Sequence, residues 1–223
     1  MTEIKPSERS AWSDVPPDRP VPFWASLRAD ALAHVPEDRR GGTRGAWVRM
    51  MMGVVLRSSG FHVVLVYRLG HALTHRLGLP GRVLGGVLFW WNRHFAGCSI
   101  ASTARLHGGL ILPHPQGIVV GPWVVVGPRA WIYQNVTLGG SPGKMGMPRV
   151  GADARIYSGA VIAGPIAVGD NVMIGANAVV TRDIPPRTLV RPAPVDLVPL
   201  PERFQTGSII EGEKRNGPQM DTE

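Results

Sequence analysis

At 223 residues the chain suits one or two domains, and its 28 glycines and 21 prolines describe a molecule made largely of corners. A single cysteine, Cys98, excludes an intrachain disulfide framework and a multi-cysteine zinc site, and fits a reducing cytoplasm. The net charge of +8 favours an anionic partner, yet the arginines are scattered, without a compact basic tract interleaved with aromatics, so nucleic acid is not expected and a phosphate-rich small ligand is.

Residues 1–22 carry Pro6, Pro16, Pro17, Pro20 and Pro22 among polar side chains and read as a disordered arm. Met1 to Arg9 is polar and mixed in charge, unlike a signal peptide. A small α-helical domain is expected over 23–97. Its helices are placed at Trp24–Val35, Trp47–Arg57, Gly60–Leu77 and Arg82–His94, with Leu79-Pro80-Gly81 as a turn. Met50, Met51 and Met52 read as gap-filling core. His71 and His75 are spaced i,i+4, but no third ligand completes a metal set, so no metal is expected. The apolar run Val87-Leu88-Phe89-Trp90-Trp91 is too short to span a bilayer. It reads as packing against the first coil or a neighbouring subunit, with an interfacial anchor as the lesser alternative, and a membrane is not expected as a partner.

From 98 to 190 the sequence repeats in sixes. Val150, Ile156, Ile162, Val168, Ile174 and Val180 are aliphatic, and Ala154, Ala160, Ile166, Val172 and Ala178, four residues after the first five, are small or apolar. A period of six is neither helical nor that of a hairpin; it is a solenoid signature, indicating a parallel β-helix of three short sides per coil with the aliphatic residues stacked inside. Upstream, Ile100, Leu106, Leu112, Ile118, Val124, Ala130 and Val136 carry the same spacing. The step from Val136 to Val150 is two residues longer than two units, so Gly139–Arg149 must leave the prism as a loop. Ile184-Pro185-Pro186 marks the end of the regular coils, and 191–223 is a polar tail.

One histidine stands out in the repeat. His114 lies in Leu112-Pro113-His114-Pro115-Gln116-Gly117-Ile118, ahead of the loop and without a carboxylate neighbour in sequence. This stretch, with Ile132-Tyr133-Gln134-Asn135-Val136-Thr137-Leu138-Gly139-Gly140, Ile174-Gly175-Ala176-Asn177 and Asp183-Ile184-Pro185-Pro186, resembles the serine O-acetyltransferases, hexapeptide-repeat acyltransferases with a left-handed parallel β-helix. The likeness reaches upstream to Gly60-Phe61-His62 and Tyr67-Arg68-Leu69-Gly70-His71.

The resemblance implies an acetyl-CoA-dependent O-acetyltransferase in which His114 is general base and the acceptor hydroxyl attacks the thioester directly. It implies coenzyme contacts at Gly140, Ser158, Ala176 and Arg182, and, since such sites lie between subunits, a homotrimer. L-serine is the leading acceptor, with a sugar or specialised-metabolite hydroxyl as the alternative. A catalytically silent β-helix acting as an assembly subunit is the reading of another class. The chain also departs from the family. Ser99 stands where the family has an aspartate that orients the histidine, Pro113 replaces an acidic residue, and Gly146-Met147-Pro148 replaces Arg-His-Pro in the loop. Lys144 and Arg149, with Met147, are the loop residues expected to meet the acceptor in their stead.

Overall fold

The computed structural model describes residues 21–35, 44–194 and 199. The expected arm over 1–22 and tail over 191–223 lie almost wholly outside them. The described residues through Pro192 form one compact unit in which a helical part precedes a parallel β-helix.

The helices are α1 (Phe23–Ala33), α2 (Arg44–Arg57), α3 (Ser59–Arg76) and α4 (Gly78–Phe95). Ser58 caps α3, its hydroxyl accepting the Phe61 N–H at 3.1 Å. Leu79-Pro80-Gly81 is not a turn. The chain reverses at Gly78, whose φ of 57° lies in the left-handed region, and Pro80 falls in the first turn of α4, where its missing N–H has no helical partner to lose. The two helices then approach backbone to backbone. A Cβ on Gly81 would stand 2.0 Å from the Leu73 carbonyl oxygen, and one on Gly85 would stand 2.9 Å from that of Gly70. Met52 is not core but 57% exposed.

Among the described residues thirteen short strands form three parallel sheets. Sheet A orders β1 (Ser99–Ile100), β3 (Val119–Val120), β6 (Thr137–Gly139), β9 (Val161–Ala163) and β12 (Val179–Val180). Sheet B orders β2 (Arg105–Leu106), β4 (Val125–Val126), β7 (Arg149–Val150) and β10 (Ala167–Val168). Sheet C orders β5 (Trp131–Ile132), β8 (Arg155–Ile156), β11 (Met173–Ile174) and β13 (Leu189–Val190). The chain visits A, B and C in rotation, and each side contributes one inward aliphatic column. In sheet A it is Ile100, Val120, Leu138, Ile162 and Val180, all buried. In sheet C, Ile132, Ile156 and Ile174 stack with no exposure at all.

The registers correct the upstream half of the sequence reading. Thr137 pairs with Val119 and Val161 with Val179, the regular eighteen-residue coil, but Ser99 pairs with Val119, two residues more. The extra pair falls in the corner that holds His114. Beyond it the phase slips, so Ile118, Val124, Ala130 and Val136 occupy buried corners while Val120, Val126, Ile132 and Leu138 stack inside. The loop is also longer than the count from Val136 indicates. Val125 pairs with Arg149 and Thr137 with Val161, so this coil holds twenty-four residues, a whole extra unit. Nor do Pro185-Pro186 end the helix. They fill a corner against Gly169, where a Cβ would lie 2.4 Å from the Pro186 nitrogen, and β13 still pairs with β11.

Three side chains of α3 fasten the helices to the first coil. The Tyr67 hydroxyl donates to the Ala104 carbonyl at 2.8 Å and accepts the Leu106 N–H at 3.1 Å. Arg68, 2% exposed, pairs with Asp30 of α1, 0% exposed, and donates to the carbonyls of Leu106 and His107. His71 is fully engaged: its Nε2 accepts the Val21 N–H and its Nδ1 donates to the Ser102 carbonyl. Burial lowers its pKa to about 4, so it is neutral and structural.

Candidate functional site

The rotation of the sheets gives the prism three edges, and the candidate residues divide between two of them. The edge between sheets C and A carries the enlarged corner Pro113–Gly117 with His114 exposed on it. Local chemistry dictates this shape. Two prolines flank His114 and favour an extended turn, and Gly117, at φ 71°, closes it where a Cβ would lie 2.0 Å from the Asn135 side-chain oxygen. From behind, the start of α3 pins the corner, because a Cβ on Gly60 would lie 1.9 Å from the Leu112 carbonyl oxygen. Down the same edge follow Tyr133 and Tyr157, whose rings stack at 5.2 Å, then half-buried Ser158 and exposed Ala176. Tyr157 thus gains a ring partner on this edge. The small outward residues after it leave that edge open for an extended ligand.

The edge between sheets A and B carries the other group. Here β6 ends, exposed Gly140 follows, and the loop runs to Pro148. Its tip is a tight reversal in which Ser141 bridges Lys144, with Gly143 at φ 73° and Gly146 at φ 117°. Lys144 is exposed, and Met145 beside it is 97% exposed. Met147 turns the other way. It packs against the prism core, and its sulfur lies 3.6 Å from where a Gly140 Cβ would be. Its side chain holds the loop base down on the wall rather than reaching outward. Arg149 begins β7, half-buried, and Arg182 is exposed on the last corner of this edge.

His114 and the loop therefore do not meet within one protomer. They flank opposite margins of sheet A, and His114 sits on the first coil while the loop leaves the third, about 10 Å further along the axis at roughly 4.8 Å per coil. Between them sheet A presents an outward strip that includes Val119, 43% exposed, and Val179, 69% exposed. Ser99, in the place of the family's orienting aspartate, lies in β1; its backbone N–H bonds to Ile118 O, and no side-chain hydrogen bond joins it to His114 among the described residues.

Sequence reasoning missed three features. Trp123, on the loop edge, has φ 64° and is 50% exposed. Left-handed corners recur at Asn135, Asp153, Asn171 and Asn177, residues that tolerate them; a tryptophan there costs about 1–2 kcal/mol. A groove of about 530 Å³ adjoins the His114 corner, lined by Arg49, Arg57, Ser58, Leu112 and Pro113. A wider groove of about 1090 Å³ lies between α1 and sheet C, with Ile111 lining both grooves. It holds His107, whose pKa burial and then Arg105 and Arg68 lower to about 4. No signal in a single sequence could have found either groove, because each joins segments far apart in the chain. No cluster of three metal-ligating side chains occurs among the described residues.

Comparison with known proteins agrees with this architecture. Residues 147–182 match the family described as bacterial transferase hexapeptide (six repeats). The serine acetyltransferase of Helicobacter pylori is 38% identical over 135 residues, spanning 59% of this chain and 77% of that protein. That of Synechococcus elongatus is 37% identical over 134 residues, 54% of its length. Among solved structures, the Neisseria gonorrhoeae serine acetyltransferase in complex with serine superposes with a TM-score of 0.62 at 32% identity, covering 78% of this chain and 68% of that one. The soybean enzyme complexed with serine gives 0.62 at 33% identity, covering 76% and 69%.

Proposed function

The chain belongs to the serine acetyltransferase family, and on that premise we propose that it moves an acetyl group from acetyl-CoA to a hydroxyl, with L-serine as the acceptor. The observation that carries the proposal is the His114 corner: a corner enlarged by two residues, pinned from behind by α3, that presents an imidazole at the margin of sheet A. Histidine is the side chain suited to take a hydroxyl proton near neutral pH.

The coenzyme supplies the acetyl group as a thioester. The residues present fit an extended, phosphate-bearing ligand: small outward Ser158 and Ala176 leave one edge open, backbone N–H is available at exposed Gly140, and Arg182 offers a cation for phosphate. In the step we propose, a ring nitrogen of His114 takes the acceptor's hydroxyl proton, the oxygen bonds to the acetyl carbonyl carbon, and the carbon–sulfur bond breaks as that proton passes from His114 to the sulfur, releasing the thiol and the neutral imidazole. The Gly140 N–H donates to the carbonyl oxygen as charge builds there. The groove beside Pro113, with Arg49 and Arg57, offers cations for an acceptor carboxylate on the His114 side.

His114 and Gly140 lie on different edges, so the reading needs two copies to bring one edge against another, and a homotrimer meets that need by closed rotation. The exposed apolar strip of sheet A supports a covering neighbour. We place the reaction in the cytoplasm. One observation favours a second acceptor class: Met147 stands at the loop position where the family carries histidine, and it turns inward, which weakens the grip on serine and supports a sugar or specialised-metabolite hydroxyl.

The test is acceptor profiling with acetyl-CoA, following thiol release. Turnover with serine at least equal to that with other alcohols supports the serine reading; no turnover with any acceptor, and no coenzyme binding, overturns the enzyme reading. His114→Ala should lower the rate by about two to four orders of magnitude, and a change of less than tenfold removes it as the base.

A further inference from the structure

Helix α4 packs with its small residues and exposes its large ones. The residues it buries are Gly81, Gly85 and Asn92, one stripe at helical spacing, and the glycines let α3 close in to backbone contact. The opposite face carries Leu79, Val83, Val87 and Trp90, which are 73%, 60%, 55% and 51% exposed. Trp91 and Phe95 widen it on one side, at 51% and 66%. A helix bathed only in water shows the reverse arrangement. Packing through glycine with large apolar side chains turned outward is the pattern of helices whose surroundings are lipid, and a contiguous apolar face of this kind marks an interaction surface.

Charge decides the partner. Arg82 and Arg93, both exposed, lie three turns apart on the other flank of the same face. The sequence holds no Asp or Glu between Asp38 and Asp153, so α2, α3 and α4 carry no carboxylate. A second copy set face to face would bring arginine against arginine with nothing to pair them. An anionic surface with an apolar interior matches both features. Tryptophans beside arginines are side chains of the bilayer interface. No described helix is long and apolar enough to cross a membrane, and arginines near both ends of the 18-residue α4 fit a helix lying in the interface plane.

We propose that α4 seats this protein on the surface of an anionic lipid bilayer, with Leu79, Val83, Val87, Trp90 and Trp91 in the acyl boundary and Arg82 and Arg93 at the lipid phosphates. None of these residues lies on the prism edges, so the docking is independent of the proposed reaction.

Co-sedimentation of the full chain with phosphatidylcholine vesicles, with and without phosphatidylglycerol, tests it. The protein sediments with the phosphatidylglycerol vesicles and stays in solution with phosphatidylcholine alone. Arg82→Ser with Arg93→Ser weakens binding by about 30-fold, roughly fivefold for each arginine. Trp90→Gln with Trp91→Gln weakens it at least tenfold, and both pairs keep the parent urea midpoint and coenzyme-dependent activity. Absence of binding to anionic vesicles, or binding unchanged in both double variants, overturns the proposal. So does a fall in particle mass by light scattering in the tryptophan variant with vesicle binding intact, which would make the face a contact between copies.

Discussion

Replacing Asp30 by alanine removes a carboxylate that ties α1 to α3 and the first coil. Its Oδ2 accepts from Arg68 Nε at 2.8 Å, and its Oδ1 accepts from Arg68 Nη2 at 3.1 Å and from the Leu110 N–H at 2.9 Å. In Asp30→Ala the guanidinium keeps its two carbonyl acceptors but loses its countercharge while still 2% exposed. An uncompensated buried charge costs about 3–5 kcal/mol, and the orphaned Leu110 N–H adds roughly 1 kcal/mol or more. The sum, about 4–6 kcal/mol, is a large part of the roughly 5–15 kcal/mol that holds a typical domain together. Asp30→Asn keeps an acceptor for Leu110 and should lose less. Arg68→Met leaves Asp30 buried and charged, so it too is severe. The double variant Asp30→Ala, Arg68→Met should be milder than the two single losses added, by about 2–3 kcal/mol, because each single change strands the other charge. Urea unfolding of the four proteins measures this cycle. A cost for Asp30→Ala below about 1 kcal/mol, or additive single effects, would refute the reasoning.

Other outcomes follow from the packing. His71 has its pKa lowered from 6.5 to about 4, so the unfolded chain binds more protons between those values. Stability is full above about pH 6.5 and falls as pH drops through the window, by roughly 3 kcal/mol below pH 4; His71→Gln should flatten the urea midpoint between pH 7 and 4.5, and an unchanged slope would contradict this. Gly81→Ala should destabilise by about 1–3 kcal/mol, since its Cβ meets a backbone oxygen of α3. Gly86→Ala, on the same helix with nothing within 4 Å, should instead stabilise by roughly 0.5–1 kcal/mol; thermal melts with the same sign for both would sink the contact argument. Ile156→Ala, between Ile132 and Ile174 in a fully buried column, should cost about 2–5 kcal/mol by urea unfolding, and a loss under 1 kcal/mol would mean that the coils are not closely stacked.

What the sequence by itself determined is the solenoid, the rotation of three sides, the presence of a loop after β6 and the prominence of His114. Each of these is written locally, as an aliphatic residue every sixth position or a histidine between prolines. The phase was not. From Ile100 to Val180 both the stacking residue and the corner residue two positions before it are buried and apolar, so a slip of two turns one column into the other without a break in hydropathy. Only strand pairing, Ser99 with Val119 rather than two residues earlier, shows that the extra pair sits in the His114 corner. The helices were legible as helices, but their faces depended on their partners. The glycine stripe of α4 became its buried side because the Leu73 and Gly70 carbonyls and the Thr74 side chain of α3 stand too close there for a Cβ, and that left Trp90 and Trp91 outward. The division of His114 and the loop between two edges belongs to tertiary structure alone, since edge identity is a count of sides around the prism and depends on every insertion before it.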